Sequence, residues 1–142
     1  MSAARILLVD DFLPWQSLVF SMFQSEPDLQ IVAVACDGLE AVRKARELEP
    51  HVVLMDLGLP GRNGFEATRQ IRIYSPTSKI LFLTEHCEPD LIRAAFDIGA
   101  SGYVRKSDAN ADLIRATRAL LLGQHFVSRS LRGLGETCGS ED

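Results

Sequence analysis

The sequence predicts an α/β fold: a (βα)5 three-layer sandwich in which helices cover both faces of a parallel sheet. Three observations point to it. Short β-branched or aliphatic runs alternate with longer amphipathic ones along the chain. Those runs start near Arg5, Gln30, His51, Lys79 and Gly102, so successive starts are about 25, 21, 28 and 23 residues apart, close to one βα unit each. The first, third and fourth runs are continuously apolar, which suits strands buried on both faces. Right-handed crossovers then place helices on either side of the sheet.

Each element has its own signal. The strand runs read RILLV, QIVAVA, HVVLM, KILFL and GYV. Between the first two, Trp15, Leu18, Val19, Met22 and Phe23 recur at helical spacing, and Pro14 suits a first-turn position. A second helix enters through Asp37-Gly38 and carries the stripe Leu39, Val42, Ala45, Leu48. Phe65, Thr68 and Ile71 give a weaker third stripe after the turn Gly61-Arg62-Asn63-Gly64. Leu91, Ile92, Ala95 and Phe96 stripe the fourth helix, with Pro89 near its start and Gly99 as its stop. Asp108 is suited to cap the fifth, striped by Leu113, Ile114, Thr117, Leu120 and Leu121 and ending at Gly123. One domain over 4–124 accounts for the pattern. Residues 125–142 are expected to be a flexible tail or truncated linker, the Gly/Ser-rich stretch from Arg129 onward showing no periodicity.

Composition excludes several functions. The chain has 142 residues, a hydrophobic fraction of 46%, a charged fraction of 24% and a net charge of −4. That is enough chain for a core without staples. A mildly acidic balance offers no basic footprint for nucleic acid or an anionic membrane. Cys36, Cys87 and Cys138 are widely spaced and odd in number, which argues against a zinc site or disulfide framework and for reduced thiols in a cytoplasm. The opening MSAARILLVDD turns acidic before a signal-peptide core could form, and no apolar run approaches a membrane span.

Chemistry is expected at the carboxyl ends of the strands, where open α/β sheets bind ligands at the switch point of strand order. Strand one ends in Val9-Asp10-Asp11, strand three in Met55-Asp56 and strand four at Thr84, and Lys106 follows strand five. With a 2-1-3-4-5 order, strands one and three flank the switch point. Three carboxylates, a hydroxyl and an ammonium then converge on one rim. Packed carboxylates repel one another and call for a hard cation, and an oxygen set with room for waters suits Mg²⁺, with Mn²⁺ as a substitute. A carboxylate beside such an ion can attack phosphorus. Phosphoryl transfer needs placement and neutralisation of the equatorial oxygens above all. Asp56 is the natural nucleophile, because its central position leaves Asp10 and Asp11 to hold the metal. Taken singly, each of these residues reads as an ordinary strand-end or surface group; their joint placement at four strand ends carries the inference.

The set Asp10-Asp11, Asp56, Thr84, Tyr103 and Lys106 resembles the receiver domain of two-component response regulators. Around it lie D-x-G-L-P-G-x-N-G (Asp56 to Gly64) and G-A-S-G-Y-V-R-K (Gly99 to Lys106). The opening ILLVDD and DGLEAV look most like receivers of the NarL/FixJ (LuxR-type) regulators. The resemblance covers roughly Ala4 to Gln124. It implies a flavodoxin-like fold and sheet order 2-1-3-4-5, phosphorylation of Asp56 by a sensor histidine kinase or phosphotransfer protein, and Mg²⁺ held by Asp11, Asp56 and the Gly58 carbonyl, with Asp10 acting through water. Lys106 would pair with the carboxylate and then the phosphate. Thr84 and Tyr103 would switch together and re-shape the face from Glu88 to Gly123 for an output protein or a tethered DNA-binding domain.

Departures from the family pattern give further expectations. Glu85 follows Thr84 where receivers carry a small residue, so it either hinders phosphorylation or faces outward. Ser107 replaces a proline that is common after the lysine. Gly58 and His86 stand two residues beyond Asp56 and Thr84, positions that tune phosphoryl lifetime in the family, and the small Gly58 predicts a lifetime of minutes to hours. No DNA-binding domain follows Gln124, which implies a stand-alone receiver or one excised from a longer regulator. Nucleic acid is then not bound directly, and a homodimer on activation is a further expectation. The contrasting reading is a pseudo-receiver that binds a partner without phosphorylation.

Overall fold

The computed structural model describes residues 2–59 and 63–132. The turn residues Gly61 and Arg62, the tail beyond 132 and Cys138 lie outside them. Five βα units follow in order: β1 (Ala4–Val9), α1 (Leu13–Gln24), β2 (Leu29–Ala35), α2 (Gly38–Leu48), β3 (Val52–Met55), α3 (Gly64–Tyr74), β4 (Lys79–Thr84), α4 (Pro89–Asp97), β5 (Gly102–Arg105) and α5 (Ala109–Leu121). All pairings are parallel. The sheet order is β2-β1-β3-β4-β5 with a short sixth strand, β6 (Phe126–Val127), added beside β5, so the expected 2-1-3-4-5 order holds.

The continuously apolar strands are explained by two cores, one on each face. Alternate residues point to opposite sides of a strand. Leu7, Val9, Val53, Met55, Ile80, Phe82 and Tyr103 therefore face Ala41, Val42 and Ala45 of α2, Ala67 and Ile71 of α3 and Ile92 and Ala95 of α4. Ile6, Leu8, Val52, Leu54, Leu81, Leu83 and Val104 face Val19 and Phe23 of α1 and Leu113, Ala116 and Leu120 of α5. The helix starts follow local chemistry. Asp37 accepts a hydrogen bond from the Glu40 N–H at 2.8 Å to cap α2, and Asn63 does the same for Glu66 at 2.9 Å on α3. Gly99, at φ 105°, ends α4 in the left-handed region.

Three expectations need amendment. Leu18 and Leu39 belong to helical stripes yet are exposed: periodicity names the side of a helix, not how far the layer beneath it extends. Asp108 precedes α5 but makes no cap bond. Its carboxylate instead accepts from Ser130, from the backbone N–H at 3.2 Å and from the hydroxyl at 2.5 Å. The stretch just past α5 is also structured as far as Arg132. β6 pairs Tyr103 with Val127, Arg129–Leu131 forms a 3-10 turn, and Leu131 is fully buried. A two-residue strand has no periodicity to read, and only pairing with β5 makes it one.

Candidate functional site at the carboxyl ends of the strands

Register places the acidic residues side by side. Val9 is level with Met55 and Met55 with Phe82, so Asp10 and Asp56 leave adjacent strands at one level. The Asp56 N–H donates to the Val9 carbonyl at 3.2 Å, continuing the ladder one step past β1 and β3. The next strand pair aligns Thr84 with Arg105, and Lys106 follows immediately.

Each side chain is held from below. Asp10 is 1% exposed; its carboxylate accepts from the Phe12 N–H at 2.9 Å, and its carbonyl accepts from the Gln16 side chain at 2.7 Å. Burial pushes the Asp10 carboxyl above its ordinary range, although Lys106 and the Phe12 N–H favour its charge. The Lys106 ammonium lies 2.8 Å from Asp10 Oδ2 and 3.5 Å from Asp56 Oδ2, bridging the two carboxylates. Asp56 is 9% exposed, so little of it meets solvent. The Gly58 N–H makes a long bond of 3.4 Å to its Oδ1. Asp11 is exposed at the mouth, and ligand oxygens of Asp10, Asp11 and Asp56 all lie within 4.8 Å of one another.

Behind the carboxylates, Thr84 is fully buried and its hydroxyl accepts from the His86 N–H at 3.1 Å. Tyr103 is also fully buried, stacks on Phe82 with ring centroids 5.7 Å apart and donates its hydroxyl to the His86 carbonyl. Burial pushes its phenol above the ordinary range, which keeps that hydroxyl a donor. Thr84 and Tyr103 thus meet at one backbone segment, residue 86. Glu85 and His86 are exposed. A side chain on Gly58 would come within 3.2 Å of His86 Nε2, so the imidazole lies against the glycine. Among the described residues there is no cis peptide bond, and Lys106–Ser107 is trans.

Three oxygen-bearing acids against one ammonium leave the cluster negative. Three hard oxygen donors gathered at one mouth are the donor chemistry that a divalent cation such as Mg²⁺ takes. Two contributors escape a sequence reading. Gln16, inside α1, holds the Asp10 backbone; Trp15, which reads from periodicity as ordinary packing, has its ring centroid 5.1 Å from the Lys106 ammonium. Their position one turn after Asp11 is the only signal the sequence offers.

A family model described as a response regulator receiver domain matches residues 6–118. The chain belongs to that family. The receiver domain is similar to the transcriptional regulatory protein LiaR of Bacillus subtilis (strain 168), at 34% identity over 129 residues, which are 91% of this chain and 61% of LiaR. It is 39% identical over 127 residues to the transcriptional activator protein ExaE of Pseudomonas putida, covering 89% of this chain and 59% of ExaE. A crystal structure of a LuxR-family two-component response regulator from Aurantimonas sp. SI85-9A1 superposes with a TM-score of 0.90 at 40% identity, covering 96% of this chain and 97% of that one. This chain therefore spans about three-fifths of the length of these two relatives. As a member of the family it is a two-component signalling domain related to transcription regulators. Among its described residues, no helix is long and apolar enough to cross a membrane.

Proposed function

We propose that this receiver is a switch phosphorylated on Asp56, and that its own residues catalyse the transfer. The observation that supports this most directly is the bridging of Asp10 and Asp56 by Lys106, with Asp11 beside them at the mouth. An oxygen of Asp56 attacks phosphorus, an O–P bond forms, and the P–N bond of a kinase or phosphotransfer phosphohistidine breaks with the electron pair leaving on imidazole. Asp11, Asp56 and the Gly58 carbonyl would hold Mg²⁺, with Asp10 acting through water and Mn²⁺ able to replace the ion. When bound, the ion neutralises the carboxylates and the incoming phosphoryl oxygens. Lys106 supplies a fixed positive charge beside the attacking oxygen, and burial of Asp10 limits water.

The switch would run through Thr84 and Tyr103. Thr84 exchanges its bond to the His86 N–H for the new phosphoryl group, which carries a charge of about −1.5 to −2 if it titrates like other phosphate esters. Residue 86 shifts, and with it the carbonyl that holds Tyr103. The face from α4 through β5 to α5 would then present a changed surface to an output protein or tethered DNA-binding domain, on which a homodimer could form. Only if the receiver is joined to a DNA-binding domain in a longer protein would transcription control follow, in the cytoplasm; a stand-alone receiver would act through its output partner. Exposure of Glu85 supports a minor role for it, and contact of Gly58 with His86 supports both as modulators of phosphoryl lifetime.

The test is intact-mass analysis after incubation with acetyl phosphate and Mg²⁺. One phosphoryl group is expected, lost on chelation and in Asp56→Asn. A wild type that gains none from acetyl phosphate or phosphoramidate refutes phosphorylation and leaves a phosphorylation-independent binding module.

A further inference from the structure

We propose that Trp15 is a positioning residue for Lys106: its indole face is the neutral anchor that keeps the ammonium over the carboxylate cluster. The proposal rests on the reading of Asp56 as phosphoacceptor for its consequence, but not for its geometry.

Three observations on different atoms converge. The Lys106 ammonium lies 5.1 Å from the centroid of the Trp15 ring, inside the range of a cation–π contact. Its side chain is only 16% exposed, so solvent weakens that contact little. The Trp15 ring nitrogen is buried without a hydrogen-bond partner. The third point separates this reading from plain packing. Trp15 does pack against the core beneath α1, but a leucine or phenylalanine would pack there with no orphaned N–H, and a buried unpaired donor is costly. What an indole adds is the strongest attraction an aromatic face offers an ammonium.

The neutrality of the anchor matters. Lysine carries a flexible four-carbon stem and a strongly hydrated charge, and its two other partners are Asp10 and Asp56. Those carboxylates are the groups that a cation and a phosphoryl group would engage. An anionic anchor would compete for the same cation and add to the repulsion. The indole holds the ammonium without contributing charge, so Lys106 stays in place while its carboxylate partners change theirs. The local fold supports this placement: Pro14 lies in the first turn of α1, and the Trp15 backbone N–H donates to the Phe12 carbonyl at 3.1 Å, fixing that turn directly after Asp11.

The test uses the chain's single tryptophan and needs no metal for its first arm. In metal-free protein, the Lys106 ε-methylene NMR signals are expected to be displaced by the ring current of Trp15. Trp15→Leu should return them to ordinary lysine positions, and Trp15→Phe should keep part of the displacement. Unchanged Lys106 signals in Trp15→Leu overturn the proposal. In the second arm, Trp15→Leu should slow phosphorylation by acetyl phosphate by about two- to thirtyfold, with Trp15→Phe in between. On a Lys106→Met background the same substitution should cost nothing further, as a shared interaction requires. An equal loss on both backgrounds overturns it, because Trp15 would then act through packing. A wild type that takes no phosphoryl group refutes the phosphoacceptor reading alone, and the metal-free spectra still decide whether Trp15 holds Lys106. Amide spectra and melting of both Trp15 variants identify a misfolded one; the Phe variant keeps the aromatic volume in that event.

Discussion

Gly64 gives a quantitative test of how tightly α3 is set against the site. A Cβ added there would stand 2.6 Å from the Asp56 carbonyl oxygen and 3.1 Å from Leu57 Cα. Both are backbone atoms, so no rotamer change relieves the contact. The first is 0.8 Å short of the 3.4 Å at which ordinary contact begins. Gly64→Ala therefore pushes the start of α3 away from β3 and disturbs Phe65, which packs on Phe82 at 5.5 Å. Overpacking of this kind costs about 1–3 kcal/mol. Against it stands the helix preference of alanine, at most about 1 kcal/mol and less in a first turn. Overpacking wins, and the net loss is about 1–2 kcal/mol, or about 2–8 °C in Tm for a chain of this length. Because the displaced atom is the carbonyl of Asp56, phosphorylation by acetyl phosphate should slow as well. Gly123→Ala is the control. Its φ of 83° makes a side chain strained, yet nothing lies within 4 Å, so it should cost about 1 kcal/mol and leave the phosphorylation rate alone. Calorimetry and intact-mass kinetics on both variants decide the matter. A Gly64→Ala protein that melts at or above wild type, or phosphorylates at the wild-type rate, refutes the steric argument.

Other outcomes follow from the same geometry. Burial raises the Asp10 carboxyl, so the folded state penalises its charge, and stability falls as pH climbs through the ordinary carboxylate range toward the raised folded value. Asp10→Asn should thus be more stable than wild type at neutral pH without metal, with the advantage vanishing as pH falls below the ordinary value; urea unfolding across pH would show a constant difference if this is wrong. Mg²⁺ at a hundredfold excess over its Kd should stabilise the protein by about 2.7 kcal/mol, read as a rise of about 5–11 °C in Tm that Asp56→Asn and Asp11→Ala abolish. Asp112 is fully buried, and its carboxylate accepts from the Arg129 N–H at 2.9 Å while lying 3.3 Å from the Arg115 side chain. Asp112→Ala should cost about 1–3 kcal/mol and speed amide exchange over Phe126–Leu131 ahead of β1 or β3; protection unchanged there would deny that Asp112 ties the segment down.

Much of this protein is local and so is determined by sequence alone. Strand and helix periods identify the five βα units, and an apolar run with no alternation already requires cover on both faces, which the two cores supply. Chain order alone also puts Asp10, Asp56, Thr84 and Lys106 at strand ends, and a parallel sheet brings such ends to one rim. Tertiary structure decided what no short window contains. The 2.8 Å and 3.5 Å contacts of Lys106 depend on the register of β1, β3 and β5, and the pairing of β6 exists only because β5 offers an edge and Asp108 and Asp112 accept from residues past it. The same holds for Trp15. Its helical spacing reads as packing, since periodicity records which side of a helix is apolar; that an ammonium from the far end of the chain rests against its ring follows only from the sheet order, because distance between remote residues is a property of the fold and not of any local pattern.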